Sequence, residues 1–225
     1  MIEAVVFDLD GVLIDSEQIW DSARREVAAT HGGRWRADAT STMQGMSSLE
    51  WSRYMHDELA VDLHAGQIVD AVVGRVLGRY DRALPLLPGA RAVVERIGRR
   101  WPLGLASSAN RVVIDRVMAL AHWGARFRVT LSSEEVAHGK PAPDVYLETA
   151  RRLGTPPAHC AAVEDSANGI RSGVAAGMRV VAVPNRQYPP SDDVLAAARL
   201  VVSGLDELTA ERLGELDEPG RSATT

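Results

Sequence analysis

Short apolar runs alternate along the chain with longer segments in which apolar residues recur about every 3.6 positions. The runs predict buried β-strands, and the periodic segments between the later runs predict helices with charged outer faces. The predicted strands are 4–7, 103–106, 127–131, 160–163, 180–183 and 199–202, and the helices among them are 110–121, 142–153 and 166–176. Strands that alternate with helices are typical of an α/β protein with a doubly wound parallel sheet and right-handed crossovers.

One long segment, 17–82, interrupts this alternation after the first strand. It shows no strand pattern, and its apolar spacing predicts three helices at 17–30, 47–59 and 65–80. Ser16 is a residue type that often precedes a helix, so we expect it, with Glu17 and later acids, to start the first of the three.

The helical segment is too long to be a loop within a compact domain. We therefore predict an inserted all-helical cap domain at 17–82 on a Rossmann-like core domain formed by 1–16 and 83–225. The stretches 12–16 and 83–89 connect the two parts and are the expected hinges. Two such crossings would allow a cap to open and close over the core.

Composition indicates an ordinary globular protein and argues against several classes of partner. Of its 225 residues, 46% are hydrophobic, and the net charge of −5 disfavours nucleic acid, which needs a basic face. No apolar run approaches the roughly 18 residues of a membrane span. Cys160 is the single cysteine, so no internal disulfide can form and a reducing, cytoplasmic location is expected. We also expect a monomer or weak dimer, with a frayed tail at 216–225.

Two aspartates follow the first predicted strand. Asp8 and Asp10 leave this apolar run, and Gly11 permits a sharp turn directly after them. In open α/β sheets, ligands bind just beyond the carboxyl ends of the strands. Two carboxylates so close together repel each other unless a cation or a shared proton intervenes. The pair is a candidate site, although an isolated pair of this kind is also typical of a turn cap.

Hydroxyl groups and one ammonium group follow two later strands. Ser107 and Ser108 lie where the second strand leads into a helix, a place where a hydroxyl and free amides either bind phosphate or cap the helix. Lys140 precedes the helix predicted from 142 and is the single lysine among 25 basic residues. Either the composition has drifted toward arginine, or this position needs a compact ammonium group.

A pair of acids follows the strand predicted at 160–163. Glu164 and Asp165 offer further oxygen ligands for a hard cation, with a helix cap as the alternative for Asp165. The carboxyl ends of parallel strands meet at one edge of a sheet. The polar residues at four strand ends should therefore meet there. Four unrelated helix caps would not explain why these residue types occur together.

Phosphoryl transfer is the chemistry that needs these groups together. A phosphate monoester is dianionic, so carboxylates can approach it only when Mg²⁺ and an ammonium group, here Lys140, offset the charge. Asp8 can then attack phosphorus and form an aspartyl-phosphate. Asp10 can protonate the leaving oxygen and later take a proton from the attacking water. Such catalysis consists mostly of positioning and charge stabilisation.

These motifs, in this order, resemble those of the haloacid dehalogenase superfamily over nearly the whole chain. The insertion after the first motif is similar to the helical-cap subgroup that contains β-phosphoglucomutase and phosphoglycolate phosphatase. The resemblance implies Asp8 as nucleophile, Asp10 as acid and base, and Lys140 as the charge-balancing lysine. Asp10 argues against dehalogenase or phosphonatase chemistry, since those relatives lack an aspartate at this position.

The resemblance also implies a magnesium site and a phosphate site. For Mg²⁺ it implies Asp8, the main-chain carbonyl of Asp10, and Asp165 as direct ligands, with Glu164 orienting a metal-bound water. The residues that it implies for phosphate are Ser107, Ser108, Lys140 and Gly11.

The cap contains the candidate specificity residues. They are Trp20, Gln44, Gly45, Met46 and Trp51. The stretch from Gln44 resembles the substrate-specificity loop of the subgroup. Gln44 stands where the mutases carry a lysine, Ser48 where they carry an arginine, and Trp20 where they carry a histidine. These departures argue against mutase function.

The leading prediction is a Mg²⁺-dependent phosphatase that hydrolyses a small phosphorylated metabolite, such as a sugar or polyol phosphate, through an aspartyl-phosphate. One alternative is a sugar-phosphate mutase similar to β-phosphoglucomutase. The other is a non-catalytic or receiver-like, phospho-accepting signalling protein. Receivers are much shorter and lack both a cap and an acid two residues after the nucleophile, and the complete set of polar groups speaks against a non-catalytic descendant.

Overall fold

A parallel sheet forms the core of the computed structural model, which describes residues 1–43, 46–185 and 189–217. The strands are β1 (Ala4–Phe7), β2 (Leu103–Ser107), β3 (Phe127–Ser132), β4 (Cys160–Glu164), β5 (Arg179–Ala182) and β6 (Leu200–Val201). Within the described ranges they form one sheet in the order β3-β2-β1-β4-β5-β6, with every neighbouring pair parallel. The predicted doubly wound parallel sheet is confirmed.

Both faces of the sheet are covered, which explains why its strands are apolar runs rather than alternating patterns. Side chains of β1 alternate between the two faces. Val5 and Phe7 join the hydrophobic cluster that also includes cap residues, while Ala4 and Val6 join the cluster beneath the later helices. All four side chains are buried.

The helices fall into an inserted group and a core group. The inserted group is α1 (Glu17–Thr30), α2 (Ala39–Thr42), α3 (Ser48–Asp57) and α4 (Ala65–Tyr80). The core group is α5 (Ala90–Gly98), α6 (Arg111–Ala121), α7 (Asp144–Leu153), α8 (Ala167–Ala175), α9 (Asp192–Leu195) and α10 (Ala210–Glu215). The described part of 17–82 contains no strand, so the all-helical insertion is confirmed. None of the described helices combines the length and apolar character needed to span a bilayer.

The two chain crossings between insertion and core lie side by side. Ile14 and Leu86 form an antiparallel bridge, and the amide of Asp15 donates to the carbonyl of Pro85 at 2.8 Å. Leu87 N–H donates to the Leu13 carbonyl at 3.0 Å. The segments expected to act as hinges are therefore bonded to each other.

One local expectation is confirmed and another is wrong. Helix α1 starts directly after Ser16 as expected, although the Ser16 hydroxyl forms no cap bond and donates to Asp10 Oδ1 at 2.5 Å instead. The tail does not fray from 216: Leu216 is buried, and Asp217 accepts from Ile2 N–H and pairs with Arg179. Residues 218–225 lie outside the described ranges.

Helix α5 was absent from the sequence-based assignment. Its buried residues Val93, Val94 and Ile97 follow helical spacing, so the signal was present in the chain. Gly89, at φ +82°, forms the turn that opens it.

Candidate active site

The acidic motifs meet where the direction of the strand order changes. β1 and β4 are adjacent, and the Asp8 amide donates to the Val163 carbonyl at 3.0 Å. Asp8 therefore leaves β1 beside Glu164, the last residue of β4. Because β1 connects toward one side of the sheet and β4 toward the other, a crevice opens between their carboxyl ends, as in other doubly wound folds.

The ammonium group of Lys140 lies in this crevice. Its Nζ is 2.6 Å from Asp8 Oδ1, 2.5 Å from Glu164 Oε1 and 3.0 Å from the Ala106 carbonyl oxygen. Burial disfavours the charged amine, but the carboxylates of Asp8 and Glu164 more than offset this and raise the pKa of Lys140. Lys140 therefore stays protonated and pairs with both acids.

Tyr146 is a site neighbour that the sequence analysis did not identify. It lies in the first turn of α7, and its hydroxyl donates to Glu164 Oε1 at 2.6 Å. The Lys140 ammonium is 5.0 Å from the centre of its ring. Burial, together with the charge of Glu164, raises the pKa of the Tyr146 phenol well above its ordinary value, so it stays a donor. No local pattern in the sequence indicates this contact.

Three buried acids can share a cation. Carboxylate oxygens of Asp8, Glu164 and Asp165 all lie within 4.8 Å of one another. Burial raises the pKa of Asp8 to about 8, and burial with the charges of Asp8 and Glu164 raises that of Asp165. Lys140 supplies one positive charge against three carboxylates, so the cluster lacks cationic charge. Its all-oxygen donor set suits a hard divalent ion.

Two glycines make room for these acids. A Cβ at Gly11, which has φ +80°, would overlap the Asp165 carboxylate, and one at Gly169 in α8 would overlap the Glu164 carboxylate. Gly11 was predicted to bind phosphate, and the structure places it on the wall of the cavity described below. Gly169 was not anticipated as part of the site.

Asp10 lies apart from the three-acid cluster. Its Oδ1 accepts from Ser16 at 2.5 Å and from the indole N–H of Trp20 at 3.3 Å, while Oδ2 lies 3.4 Å from the Ser107 hydroxyl. Burial raises the pKa of Asp10, and these hydrogen bonds oppose the shift. The side chain is thus oriented by three hydroxyl or N–H groups and is not one of the three acids of the candidate cation site.

The two serines predicted to bind phosphate occupy different positions. Ser107 is fully buried, and its hydroxyl also accepts from the Ala109 amide at 3.0 Å. Ser108 lines the cavity beside Asp8 and Lys140. The turn at the end of β2 therefore presents Ser108 to the cavity and Ser107 to Asp10.

A cavity of about 470 Å³ lies between the inserted helices and the sheet edge. Asp8, Asp10 and Lys140 line its core side. Its size suits a small phosphorylated metabolite. The crevice and the inserted helices thus enclose one space.

The predicted cap residues that the structure describes reach this cavity. Trp20, Met46 and Trp51 line it, and the two indole rings meet edge to face with centroids 6.3 Å apart. Gln44 and Gly45 lie outside the described residues. Ser48 donates to Asn110 Oδ1 at 2.8 Å, which joins α3 to the core beside the cavity.

The sequence analysis missed a cationic residue of the cavity wall. Arg24 lies one turn after Trp20 on α1, and its guanidinium carbon is 5.5 Å from the Trp20 ring and 5.1 Å from the Trp51 ring. Burial lowers the pKa of Arg24 to about 10, which still leaves it charged at neutral pH. Arginine is so common in this chain that composition did not single it out.

Comparison with known proteins identifies relatives along almost the whole chain. Residues 2–177 match the family model described as haloacid dehalogenase-like hydrolase. Hexitol phosphatase B of Escherichia coli (strain K12) is 33% identical over 223 residues, covering 94% of this chain and 96% of the relative. Fructose-1-phosphate phosphatase YqaB of the same strain is 29% identical over 181 residues, covering 80% and 95%.

A solved structure shares the architecture. β-Phosphoglucomutase from Clostridium difficile superimposes with a TM-score of 0.81 over 96% of this chain and 97% of that chain. The two are 23% identical, so this likeness concerns the fold.

Proposed function

Because the chain belongs to the haloacid dehalogenase-like hydrolase family, we propose that it is a phosphatase for a small sugar or polyol phosphate. The observation that carries this proposal is the contact set of Asp8. The Asp8 carboxylate pairs with Lys140, lies beside two further buried acids and lines a cavity large enough for a metabolite. This arrangement supplies a nucleophile together with the positive charge that a phosphate dianion requires.

We propose Mg²⁺ as the cofactor. Asp8 and Asp165 would hold it with the main-chain carbonyl of Asp10, and Glu164 would orient one of its waters. Bound there, the ion would neutralise phosphate oxygens and allow the carboxylates to approach them. Lys140 adds a second positive charge and keeps Asp8 and Glu164 in place.

Asp8 carries out the first chemical step. A carboxylate oxygen of Asp8 attacks phosphorus, the bond from phosphorus to the substrate oxygen breaks, and an aspartyl-phosphate forms. The departing oxygen needs a proton. Burial raises the pKa of Asp10 and so favours the protonated form that this role needs. Oδ2 is the oxygen that would carry the proton, since Oδ1 already accepts from Ser16 and Trp20.

Asp10 also serves the second step. After the alcohol leaves, Asp10 is ionised and accepts a proton from a water that attacks the aspartyl-phosphate. The bond from phosphorus to Asp8 breaks, inorganic phosphate departs and Asp10 is protonated again. The proposed phosphate contacts are Ser108, Gly11 and Lys140, which all line the cavity. Ser107 instead helps to orient Asp10 through its hydroxyl group.

The division into a core of 1–16 and 83–225 and a cap of 17–82 remains our proposal, with the paired hinges as its support. Under it, cap closure excludes bulk water from the phosphate. A monomer or weak dimer also remains a prediction. So do the absence of a nucleic-acid partner, which rests on the net charge, and a cytoplasmic location, which rests on the single cysteine.

A screen of phosphorylated metabolites tests the proposed function. Purified protein with Mg²⁺ is incubated with hexitol, hexose and pentose phosphates, and released inorganic phosphate is measured. We expect release from at least one of these with a strict requirement for Asp8. Absence of release from every member, and from p-nitrophenyl phosphate, would refute the proposal.

A further inference from the structure

Arg24 presents an unpaired charge to the cavity from the cap side. Its guanidinium lies over the rings of Trp20 and Trp51, at 5.5 and 5.1 Å from their centres. Stacking of this kind covers the faces of the planar group and leaves its N–H edge available for ligands. Arg24 and both tryptophans line the cavity.

The neighbouring acids are already engaged. Asp21 binds Arg25 Nε at 2.6 Å and the Thr40 hydroxyl at 2.6 Å, and Asp10 binds Ser16 and Trp20. Glu17, the third acid that raises the pKa of Arg24, accepts from Asn185 Nδ2 at 3.2 Å. Within the described ranges Arg24 forms no ion pair, and its Nε is buried without a hydrogen-bond partner. Buried charged groups are normally paired, so this edge lacks an anion.

The two cationic side chains of the cavity wall have different surroundings. Among the described lining residues the cationic side chains are Arg24 and Lys140. Lys140 is in contact with Asp8 and Glu164 at the phosphate end. Arg24 belongs to α1, and its guanidinium lies over the rings of Trp20 and Trp51. Asp21, Asp10 and Glu17 lie close enough to raise its pKa but form no ion pair with it within the described ranges. The N–H edge of a guanidinium group can bind a carboxylate or phosphate group through two parallel hydrogen bonds.

We propose that Arg24 binds a second anionic group of the substrate, at the end remote from the phosphate that is transferred. This inference rests on the proposed phosphatase function and narrows its substrate to a phosphorylated metabolite with a carboxylate or a second phosphate. A hexitol monophosphate, whose far end is neutral, would leave the Arg24 edge without its anion.

Three substrates with the same six-carbon open chain test the proposal. Glucitol 6-phosphate has a neutral far end, 6-phosphogluconate has a carboxylate there, and glucitol 1,6-bisphosphate has a second phosphate. We expect kcat/KM of the native enzyme to be at least about tenfold higher for one of the two anionic substrates, since charge-assisted hydrogen bonds are the strong ones. Which of the two is preferred identifies the anion.

Arg24→Gln and Arg53→Gln form a matched pair of variants on the inserted helices. Arg53 is exposed on α3 and does not line the cavity. Arg24→Gln should lower kcat/KM for the preferred anionic substrate about 10- to 100-fold, mainly through KM, and change it less than about threefold for glucitol 6-phosphate and p-nitrophenyl phosphate. Arg53→Gln should leave all four values within about twofold.

Two outcomes would overturn the proposal. One is a native enzyme that hydrolyses glucitol 6-phosphate at least as efficiently as both anionic substrates, a result that needs no variant. The other is an equal loss on every substrate in Arg24→Gln, which would show that Arg24 only supports the packing of the tryptophans. In either case hydrolysis of p-nitrophenyl phosphate by the native enzyme would leave the proposed phosphatase function standing.

Discussion

Lys140 Nζ lies 2.6 Å from Asp8 Oδ1, although 132 positions separate the two residues in the chain. The same nitrogen lies 2.5 Å from Glu164 Oε1, so one ammonium group pairs with acids from β1 and β4. Asp8 nevertheless has a raised pKa, because burial outweighs the attraction of Lys140 and the other carboxylates add repulsion. The two members of this ion pair should therefore respond differently to substitution.

Asp8→Asn should abolish turnover without destabilising the fold. The amide cannot form an aspartyl-phosphate, and Lys140 still has Glu164 as a partner. Because the carboxylate of Asp8 is disfavoured by burial, its removal should leave the melting temperature of the metal-free protein equal or higher. We expect residual activity below roughly 1%, since such nucleophiles contribute several decades of rate.

Beryllium fluoride with Mg²⁺ should inhibit the native enzyme as a mimic of the aspartyl-phosphate and should not bind Asp8→Asn. Asp115→Asn, an exposed acid on α6 that pairs with Arg111, is the matched handling control and should keep full activity. Activity above 1% in clean Asp8→Asn would exclude a covalent mechanism through this residue.

Lys140→Arg should be nearly inactive despite its retained charge. The ammonium fits between two carboxylate oxygens and a carbonyl at 2.5 to 3.0 Å, a space that a wide planar guanidinium cannot occupy in the same way. Activity is measured as phosphate release at saturating Mg²⁺. Normal turnover in this variant would mean that the single lysine only reflects the chain's preference for arginine.

Lys140→Ala should lower stability as well as activity. It leaves Asp8 and Glu164 buried without their cation, and breaking a buried pair from one side costs on the order of 3–5 kcal/mol. Urea unfolding of the metal-free protein measures this. A midpoint equal to that of the native protein would contradict the assignment of Lys140 as the charge-balancing group.

Mg²⁺ should stabilise the native protein and Asp10→Asn, but not Asp165→Asn. Asp165 belongs to the three-acid cluster, whereas the Asp10 side chain faces Ser16, Trp20 and Ser107. At about 100 times the dissociation constant, a ligand adds about 2.7 kcal/mol to stability. Thermal unfolding with Mg²⁺ or with EDTA measures the difference, independently of catalysis.

Both variants should be catalytically impaired, so only the Mg²⁺ shift separates their roles. An unchanged shift in Asp165→Asn would place the cation elsewhere. Loss of the shift in Asp10→Asn would mean that the carboxylate of Asp10 takes part in binding the ion.

The sheet and the hydrolase family could be predicted because their signals are local. Two of the strands are apolar runs followed directly by acids, and a parallel sheet gathers such residues at one edge. Asp8 and Glu164 were found in this way, Lys140 from its position before a predicted helix, and the structure brings the three together. Their catalytic roles remain predictions that the experiments above test.

Contacts that depend on packing between distant elements could not be predicted. Ser16 has the sequence signature of a helix cap, yet it donates to Asp10, because the turn after β1 brings the two together. Tyr146 and Gly169 contact Glu164 only once α7 and α8 pack on the sheet. Arg24 is one arginine among many until the fold places it over two indole rings.

The last prediction separates a phosphatase from a mutase through Trp20. A mutase must keep water away from its aspartyl-phosphate until a sugar hydroxyl takes the phosphoryl group, which calls for ionisable cap groups near the acid and base. Here the cap residue beside Asp10 is Trp20, whose indole N–H donates to Oδ1 at 3.3 Å and cannot accept a proton. Ser48 is likewise neutral and is engaged with Asn110.

Water should therefore receive most of the phosphoryl groups. The test supplies β-glucose 1-phosphate with glucose 1,6-bisphosphate as primer and follows glucose 6-phosphate and inorganic phosphate in parallel. We expect inorganic phosphate to form faster from the start. The groups around Asp10 orient its carboxyl group, but none of them makes proton transfer by Asp10 depend on a bound sugar. If glucose 6-phosphate forms faster, then Trp20 and Ser48 do not prevent phosphoryl transfer to a sugar, and the assignment as a phosphatase is wrong.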